Sequence, residues 1–274
     1  MKKSFSVSPR ILSHFGEDLI KNESIALLEL VKNSYDACAK KCTINFVVED
    51  NKLSKITILD DGFGMSKETI ENVYLTIGTD FKFKNIQPNV CGRIPLGEKG
   101  IGRLGIHKLG NKIRLHTKAK NSNQITLLID WNELNDAKKI DDFQIDIIDK
   151  EIADVFGDET GTLIVIEDLK TNWDRRELRE VFRNLNSLNS PFSETNESFK
   201  VVVESNANLF EGLPSFEDIR ESALYFGHCR MEGNKITAFQ YDFKPWQTLD
   251  KVDRGREKTF FELSEREKII VDNN

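Results

Sequence analysis

The chain has 274 residues, 39 Lys plus Arg against 45 Asp plus Glu, a formal net charge of −6 and 39% apolar residues. That length suits one large domain with an appendage, or two domains. The acidic balance excludes a whole-surface nucleic-acid binder and leaves room only for a local basic patch.

No run approaches the roughly 18 consecutive apolar residues of a membrane span. The polar start, Met1 to Arg10, lacks the apolar core of a signal peptide. A cytoplasmic setting is therefore expected. Of the four cysteines, Cys38 and Cys42 are four apart, but no second Cys or His pair completes a zinc set. Reduced thiols are the expectation, with neither a disulfide framework nor a metal site.

In chain order, Glu23 to Ala39 places Ile25, Leu27, Leu28, Leu30 and Val31 at helical spacing, which predicts a helix with one buried face. Thr43–Val48 and Lys55–Leu59 alternate like strands around a turn at Glu49 to Asn51. Asp60-Asp61-Gly62-Phe63-Gly64 breaks that pattern, and Lys67 to Leu75 reads as helix. Thr79 to Gly105 is rich in Gly and Lys, and a loop this long inside a compact domain is either functional or disordered. Strands are expected at Lys112–Thr117, Gln124–Asp130, Gln144–Ile148, Thr162–Asp168 and Phe199–Glu204, with a helix over Asp174–Leu188. The later strands follow one another directly, so the expected class is α+β with a mixed, largely antiparallel sheet. Composition softens from Ser205 to Pro214, placing a boundary near residue 205. Residues 206–274 should hold a short helix, a hairpin around Glu232-Gly233-Asn234 and a charged tail from Asp250.

Two glycine-loop readings fail on their neighbours. Gly100-Ile101-Gly102-Arg103-Leu104-Gly105 fits G-x-G-x-x-G, yet no strand precedes it and a basic stretch follows. Gly92 to Lys99 approximates a P-loop but carries Glu98 where the lysine must stand, and a carboxylate there would repel phosphate.

A third reading uses four clusters at once. Glu29 and Asn33 stand four apart on the first helix and so share a face, with Asp36 three further on. Asp60-x-Gly62-x-Gly64-Met65 follows a strand, and its glycines permit close backbone approach. Gly97-x-x-Gly100-x-Gly102 runs into a helical stretch, an arrangement that offers amides to phosphate. Gly161-Thr162 opens a late strand.

In this order the four clusters resemble the motifs of the GHKL ATPases: gyrase, the large heat-shock chaperones, histidine kinases and MutL. The resemblance covers residues of about 15 to 205. The wording of Leu75–Thr79 and Leu96–Arg103 is most similar to bacterial chaperone-like and microrchidia-like N-terminal ATPase domains.

The resemblance implies a Bergerat-type two-layer sandwich with helices on one face of the sheet, an ATP-binding domain over 1–205, a lid at about 79–105, and in 206–274 the start of a transducer-like second domain. It implies ATP and Mg²⁺ as cofactors. Glu29 becomes the general base for water, Asn33 the magnesium ligand and Asp60 the acceptor for the adenine amino group, supported by Thr162. Gly62, Gly64 and Met65 line the purine, and Asp36 serves the ribose or adenine side. Gly97, Gly100, Ile101 and Gly102 form the phosphate loop, with Lys82 and Lys99 as side-chain phosphate partners.

The implied activity is slow ATP hydrolysis whose lid closure gates homodimerisation or signals to following domains, with DNA or a protein client as partner. The alternatives are a kinase of histidine-kinase-like ancestry, disfavoured because no histidine-bearing dimerisation helix precedes the domain, and a DNA-interacting module in which Lys82, Lys84, Arg93, Lys99 and Arg103 form a basic patch. His107 and His116 are expected to serve packing and surface.

Overall fold

The computed structural model describes residues 8–9, 11–12, 20–76, 90–96, 105–135, 137, 139–186, 188, 199–214, 218, 222–233, 235–243 and 259–262. The chain divides into two units, Met1–Leu213 and Pro214–Asn274.

In the first unit, helix α1 (Glu23–Asp36) starts where the Asn22 side chain accepts from the Ile25 amide, a standard N-cap. It buries Ala26, Leu27, Leu30 and Val31, together with Ser24 and Ser34. A hairpin follows, β1 (Lys41–Glu49) and β2 (Lys52–Asp60), tightened by Asp50 and Asn51 in the left-handed region (φ 50° and 59°). The segment read as a helix over 67–75 is instead one α-turn, α2 (Lys67–Thr69), running into a π-turn at Ile70–Tyr74. There the Leu75 amide reaches back to the Ile70 carbonyl.

Beyond the glycine-rich stretch lie α3 (Ile106–Leu109), β3 (Gly110–Lys118), β4 (Gln124–Asp130), β5 (Asp146–Lys150), β6 (Gly161–Leu169), α4 (Arg175–Asn186) and β7 (Lys200–Ser205). The seven strands form one sheet in the order β5-β4-β3-β6-β2-β1-β7. Every pairing is antiparallel except β1 with β7. The α+β class with a mixed, largely antiparallel sheet is therefore present.

Period-two alternation decides which face is covered. Ile44 and Phe46 of β1, Ile56 and Ile58 of β2, Ile164 and Ile166 of β6, Ile113 and Leu115 of β3, and Leu127 and Ile129 of β4 join Leu27, Leu30 and Val31 of α1 and Leu178, Val181 and Leu185 of α4 in one core. The two helices are tied by Asn184 Nδ2 donating to Ser24 Oγ (2.7 Å) and by Asn22 Nδ2 donating to Glu180 Oε1 (3.1 Å).

The second unit contains a three-stranded antiparallel sheet in the order β10-β9-β8, from β8 (Tyr225–Glu232), β9 (Lys235–Phe243) and β10 (Thr259–Glu262). Its β8–β9 turn falls at Gly233, as the sequence predicts. Among the described residues no helix is long and apolar enough to cross a membrane.

Two expectations are corrected. Cys38 and Cys91 are not reduced thiols but a disulfide spanning 53 positions, whereas Cys42 is free and buried and Cys229 free and exposed. Arg93 is not part of an open basic patch. Its guanidinium lies 4.8 Å from the Tyr35 ring centroid, and its Nη1 donates to the backbone carbonyls of Ala39 (2.7 Å) and Tyr35 (3.3 Å).

Candidate functional site

The site is built where one row of residues crosses the core face of the sheet at the end of β2. Ile56, Ile58 and Asp60 share a pleat face, so Asp60 points the way the core isoleucines point and is only 7% exposed. Across the sheet its register partners are Cys42 on β1 and Thr162 on β6, and Thr162 in turn faces Thr117 on β3. The next row along, Ile44–Ile58–Ile164–Leu115, is wholly apolar. A polar row thus terminates the core, and Thr162 within it is only half-buried.

A buried carboxylate must be hydrogen-bonded. Asp60 Oδ2 accepts from Ser34 Oγ of α1 (2.8 Å), and Oδ1 accepts from the Gly62 amide (2.9 Å). Burial pushes the Asp60 carboxyl up from its ordinary range, against these stabilising donors. The Thr162 amide is a third donor to this carboxylate. An ionised carboxylate offers about four acceptor positions, so Asp60 retains capacity for one further donor.

The neighbouring Asp61 has a different task. Its Oδ1 accepts from the amides of Lys40 and Lys41 (2.7 and 2.8 Å) and closes the turn between α1 and β1. The row also explains Cys42: burial first, then the negative charges of Asp60 and Asp61, push its thiol up to about 12, which makes it unreactive.

The glycine loop lies against the end of α1. The Phe63 amide donates to the Ala37 carbonyl (2.9 Å), and a Cβ on Gly62 would stand 2.8 Å from that same oxygen. Gly64 has φ +62°, and a Cβ there would lie 2.0 Å from the Lys118 carbonyl oxygen. Only glycine fits both positions. Thr117 secures the far side. Its hydroxyl accepts from the Met65 amide (2.8 Å), donates to the Gly161 carbonyl (3.1 Å) and lies 3.1 Å from the Thr162 hydroxyl. Thr160 Oγ1 donates to the Gly62 carbonyl (2.8 Å).

The structure therefore gathers Asp60, Gly62, Gly64, Met65 and Thr162 around the strand ends, beside the helix that carries Asn33 and Asp36. Asn33 and Asp36 are half-buried, and Asp36 Oδ1 accepts from the Leu96 amide (2.7 Å). Glu29 lies one turn before Asn33 on that helix; its Oε1 is paired with Lys32 Nζ at 2.7 Å, and no direct bond joins it to the Asp60 row. Lys82, Gly97, Lys99, Gly100, Ile101 and Gly102 lie outside the described residues, as do Lys84 and Arg103. A depression of about 450 Å³ is lined by Phe63, Gly64, Ser66, Thr69, Ala119, Lys120 and Thr160; of the site residues expected from the sequence it includes Gly64 alone.

Sequence reasoning missed Ser34 and Thr117. Ser34 carried a signal, since a hydroxyl on the buried stripe of a helix needs an acceptor. Thr117 carried a weaker one, being in phase with core residues Ile113 and Leu115.

The chain matches a family model, the Histidine kinase-, DNA gyrase B-, and HSP90-like ATPases. The match runs over residues 21–162, just over half of the chain. The chain belongs to this GHKL ATPase family.

Two curated proteins are similar over shorter stretches. The putative type II restriction enzyme HgiDII of Herpetosiphon aurantiacus is 36% identical over 106 residues, 39% of this chain and 16% of that protein. The DNA mismatch repair protein MutL of Clostridium acetobutylicum is 37% identical over 62 residues, 23% of this chain and 10% of that protein. The matched stretches thus cover only a small part of either relative. His107, by contrast, is no part of the Asp60 row. It is buried edge-on against Trp131 (4.8 Å between centroids), with Lys170 Nζ 3.0 Å from its Nε2.

Proposed function

We propose that this chain is an ATP-binding domain that hydrolyses ATP slowly with Mg²⁺. The observation that carries the reading is the Asp60 carboxylate, buried at the sheet end with one acceptor position left, beside a glycine loop packed closely against Ala37 and Lys118. An exocyclic amino group on a purine satisfies that acceptor. A 6-oxo group at the same place would set lone pair against lone pair and leave a buried charge unpaired, which selects adenine over guanine. Thr162, on the half-buried side of the same row, supplies a second polar contact to the base, and Met65 an adaptable apolar one.

Glu29 orients and deprotonates the attacking water, a role that suits a partly exposed carboxylate one helical turn from the metal side. Asn33 would hold magnesium. Its neutral, half-buried amide oxygen is a hard donor, and Mg²⁺ takes few protein ligands alongside phosphate and water oxygens. When bound, the ion neutralises charge on the phosphates. Asp36 stays with the ribose or adenine side. Gly97, Gly100, Ile101 and Gly102, with Lys82 and Lys99, are assigned to the phosphates on their motif alone, and so are nucleotide-gated lid closure and homodimerisation. Residues 206–274 we read as the beginning of a following domain.

A second reading makes DNA the effector of the ATPase. It is favoured by the two relatives, named as a putative restriction enzyme and a DNA mismatch repair protein. Duplex DNA titrated at two salt concentrations, with and without ATP, tests it: nucleotide-dependent, salt-sensitive binding supports it, and no binding in either condition removes it. For the main reading, fluorescence competition with ATP, ADP and GTP is the test. ATP and ADP should bind and GTP should not; equal affinity for all three would contradict it.

A further inference from the structure

Cys38 and Cys91 lie outside every role assigned above. Cys38 directly follows Ala37, the C-cap of α1, and is itself in the left-handed region at φ 60°. It is half-buried, whereas Cys91 is exposed. The disulfide anchors residues 90–96 to the end of α1, and two further contacts hold the same segment there. Arg93 stacks over Tyr35 and donates to the carbonyls of Tyr35 and Ala39, and the Leu96 amide donates to Asp36 Oδ1. The anchored helix end is the part that meets the glycine loop, through Phe63 N to Ala37 O.

We propose that Cys38–Cys91 is a redox-modification site, opened and closed by thiol–disulfide exchange, that determines how firmly residues 90–96 are held against the end of α1. The exposed Cys91 sulfur gives a small dithiol its point of attack. A thiolate of the dithiol attacks one sulfur, the Cys38–Cys91 bond breaks and a mixed disulfide forms. The second thiol of the reagent then displaces the protein sulfur. The protein gains two electrons and two protons as two thiols, and the dithiol leaves as its cyclic disulfide.

Opening removes the disulfide and leaves the segment held by the stacking of Arg93 on Tyr35 and by the hydrogen bonds of Arg93 and Leu96. The effect on nucleotide rests on the ATP-site reading. With the segment released, the helix end carrying Asn33 and Asp36 must be ordered on binding, which costs affinity.

The test uses the full chain, air-oxidised, reduced with dithiothreitol, and as Cys91→Ser. Alkylation in denaturant followed by intact mass should label two of the four cysteines in the oxidised chain and all four after reduction. Trypsin under native conditions should cut the Arg93–Ile94 bond about tenfold faster in the reduced and Cys91→Ser forms, since cleavage follows the population of released segment. ATP should bind these forms about three- to tenfold more weakly, with reoxidation restoring the parent and leaving Cys91→Ser unchanged. Four labelled cysteines in the oxidised chain, or an Arg93–Ile94 cleavage rate that ignores reductant, would overturn the proposal. Equal ATP affinity in all forms would refute the coupling while sparing the ATP site. A cleavage rate that responds to reductant in a chain that binds no ATP would uphold the exchange site and sink the nucleotide reading.

Discussion

Ser34 Oγ donates to Asp60 Oδ2 over 2.8 Å, joining the buried face of the first helix to the last residue of the second strand. This bond fixes the carboxylate to which we assign adenine recognition, and it supplies a donor to a buried acid in a row otherwise made of Cys42, Thr162 and Thr117. Asp60→Asn keeps the shape of the side chain but turns one acceptor into a donor. We expect it to fold and to lose about 10- to 100-fold in ATP affinity, the worth of a hydrogen bond to a charged group. Titration calorimetry reads this directly; unaltered affinity would remove Asp60 from the site.

The raised Asp60 carboxyl makes a pH prediction. Burial favours its neutral form, so the folded chain binds this proton more tightly than the unfolded chain does. Asp60 therefore contributes stability that is fully present below the unfolded carboxyl range and is lost as pH rises through the folded value. Melting temperature of the nucleotide-free chain, compared between parent and Asp60→Asn from pH 4 to 8, should show the variant gaining relative to the parent as pH rises. Ser34→Ala removes a donor to the charged form and should move the parent's transition to higher pH. A difference that is flat with pH would contradict the account.

Gly64→Ala tests the glycine loop. Its Cβ would meet the Lys118 carbonyl at 2.0 Å, at a backbone angle that L residues rarely adopt. We expect a loss of about 2 kcal/mol or more in unfolding free energy, from backbone strain and displacement of the loop. Thr117→Val leaves the Met65 amide without its acceptor and severs the contacts to Gly161 and Thr162, and should cost about 2 kcal/mol. Denaturant titration checks both.

The roles proposed for Glu29 and Asn33 are separable by measuring turnover and binding. Glu29→Ala should keep ATP affinity within about threefold and lower turnover by about 10²- to 10⁴-fold, the range for losing a general base. Hydrolysis at the parent rate would remove Glu29 from catalysis. Asn33→Ala should lose the gain in ATP affinity that Mg²⁺ confers, and chelating the metal should weaken the parent and leave this variant unchanged. Calorimetry with and without Mg²⁺ distinguishes these outcomes.

The legible part of this fold was the part written in local periodicity. The apolar stripe of α1 and the alternation of Ile56 and Ile58 are visible in a window of ten residues, and so is the break at Gly62 and Gly64; that the strand runs on to include Asp60 is not. Contacts between distant positions left no such trace. The parallel pairing of β1 with β7 joins Lys41 to Lys200, and the Cys38–Cys91 bond spans 53 positions that no spacing rule links. Arg93 looked like one more cation on a basic loop, because nothing local shows that its guanidinium meets Tyr35 and Ala39. The π-turn at Ile70–Tyr74 reads as ordinary helix, since apolar spacing does not report which carbonyl an amide chooses.

The central claim is that the Asp60 row reads a purine amino group. Calorimetric titration of the purified chain with ATP and with GTP, at equal Mg²⁺ and neutral pH, tests it most directly. The account predicts saturable binding of ATP and, for GTP, an affinity at least about 100-fold lower. Equal affinities, or no heat with ATP at millimolar concentration, would contradict it.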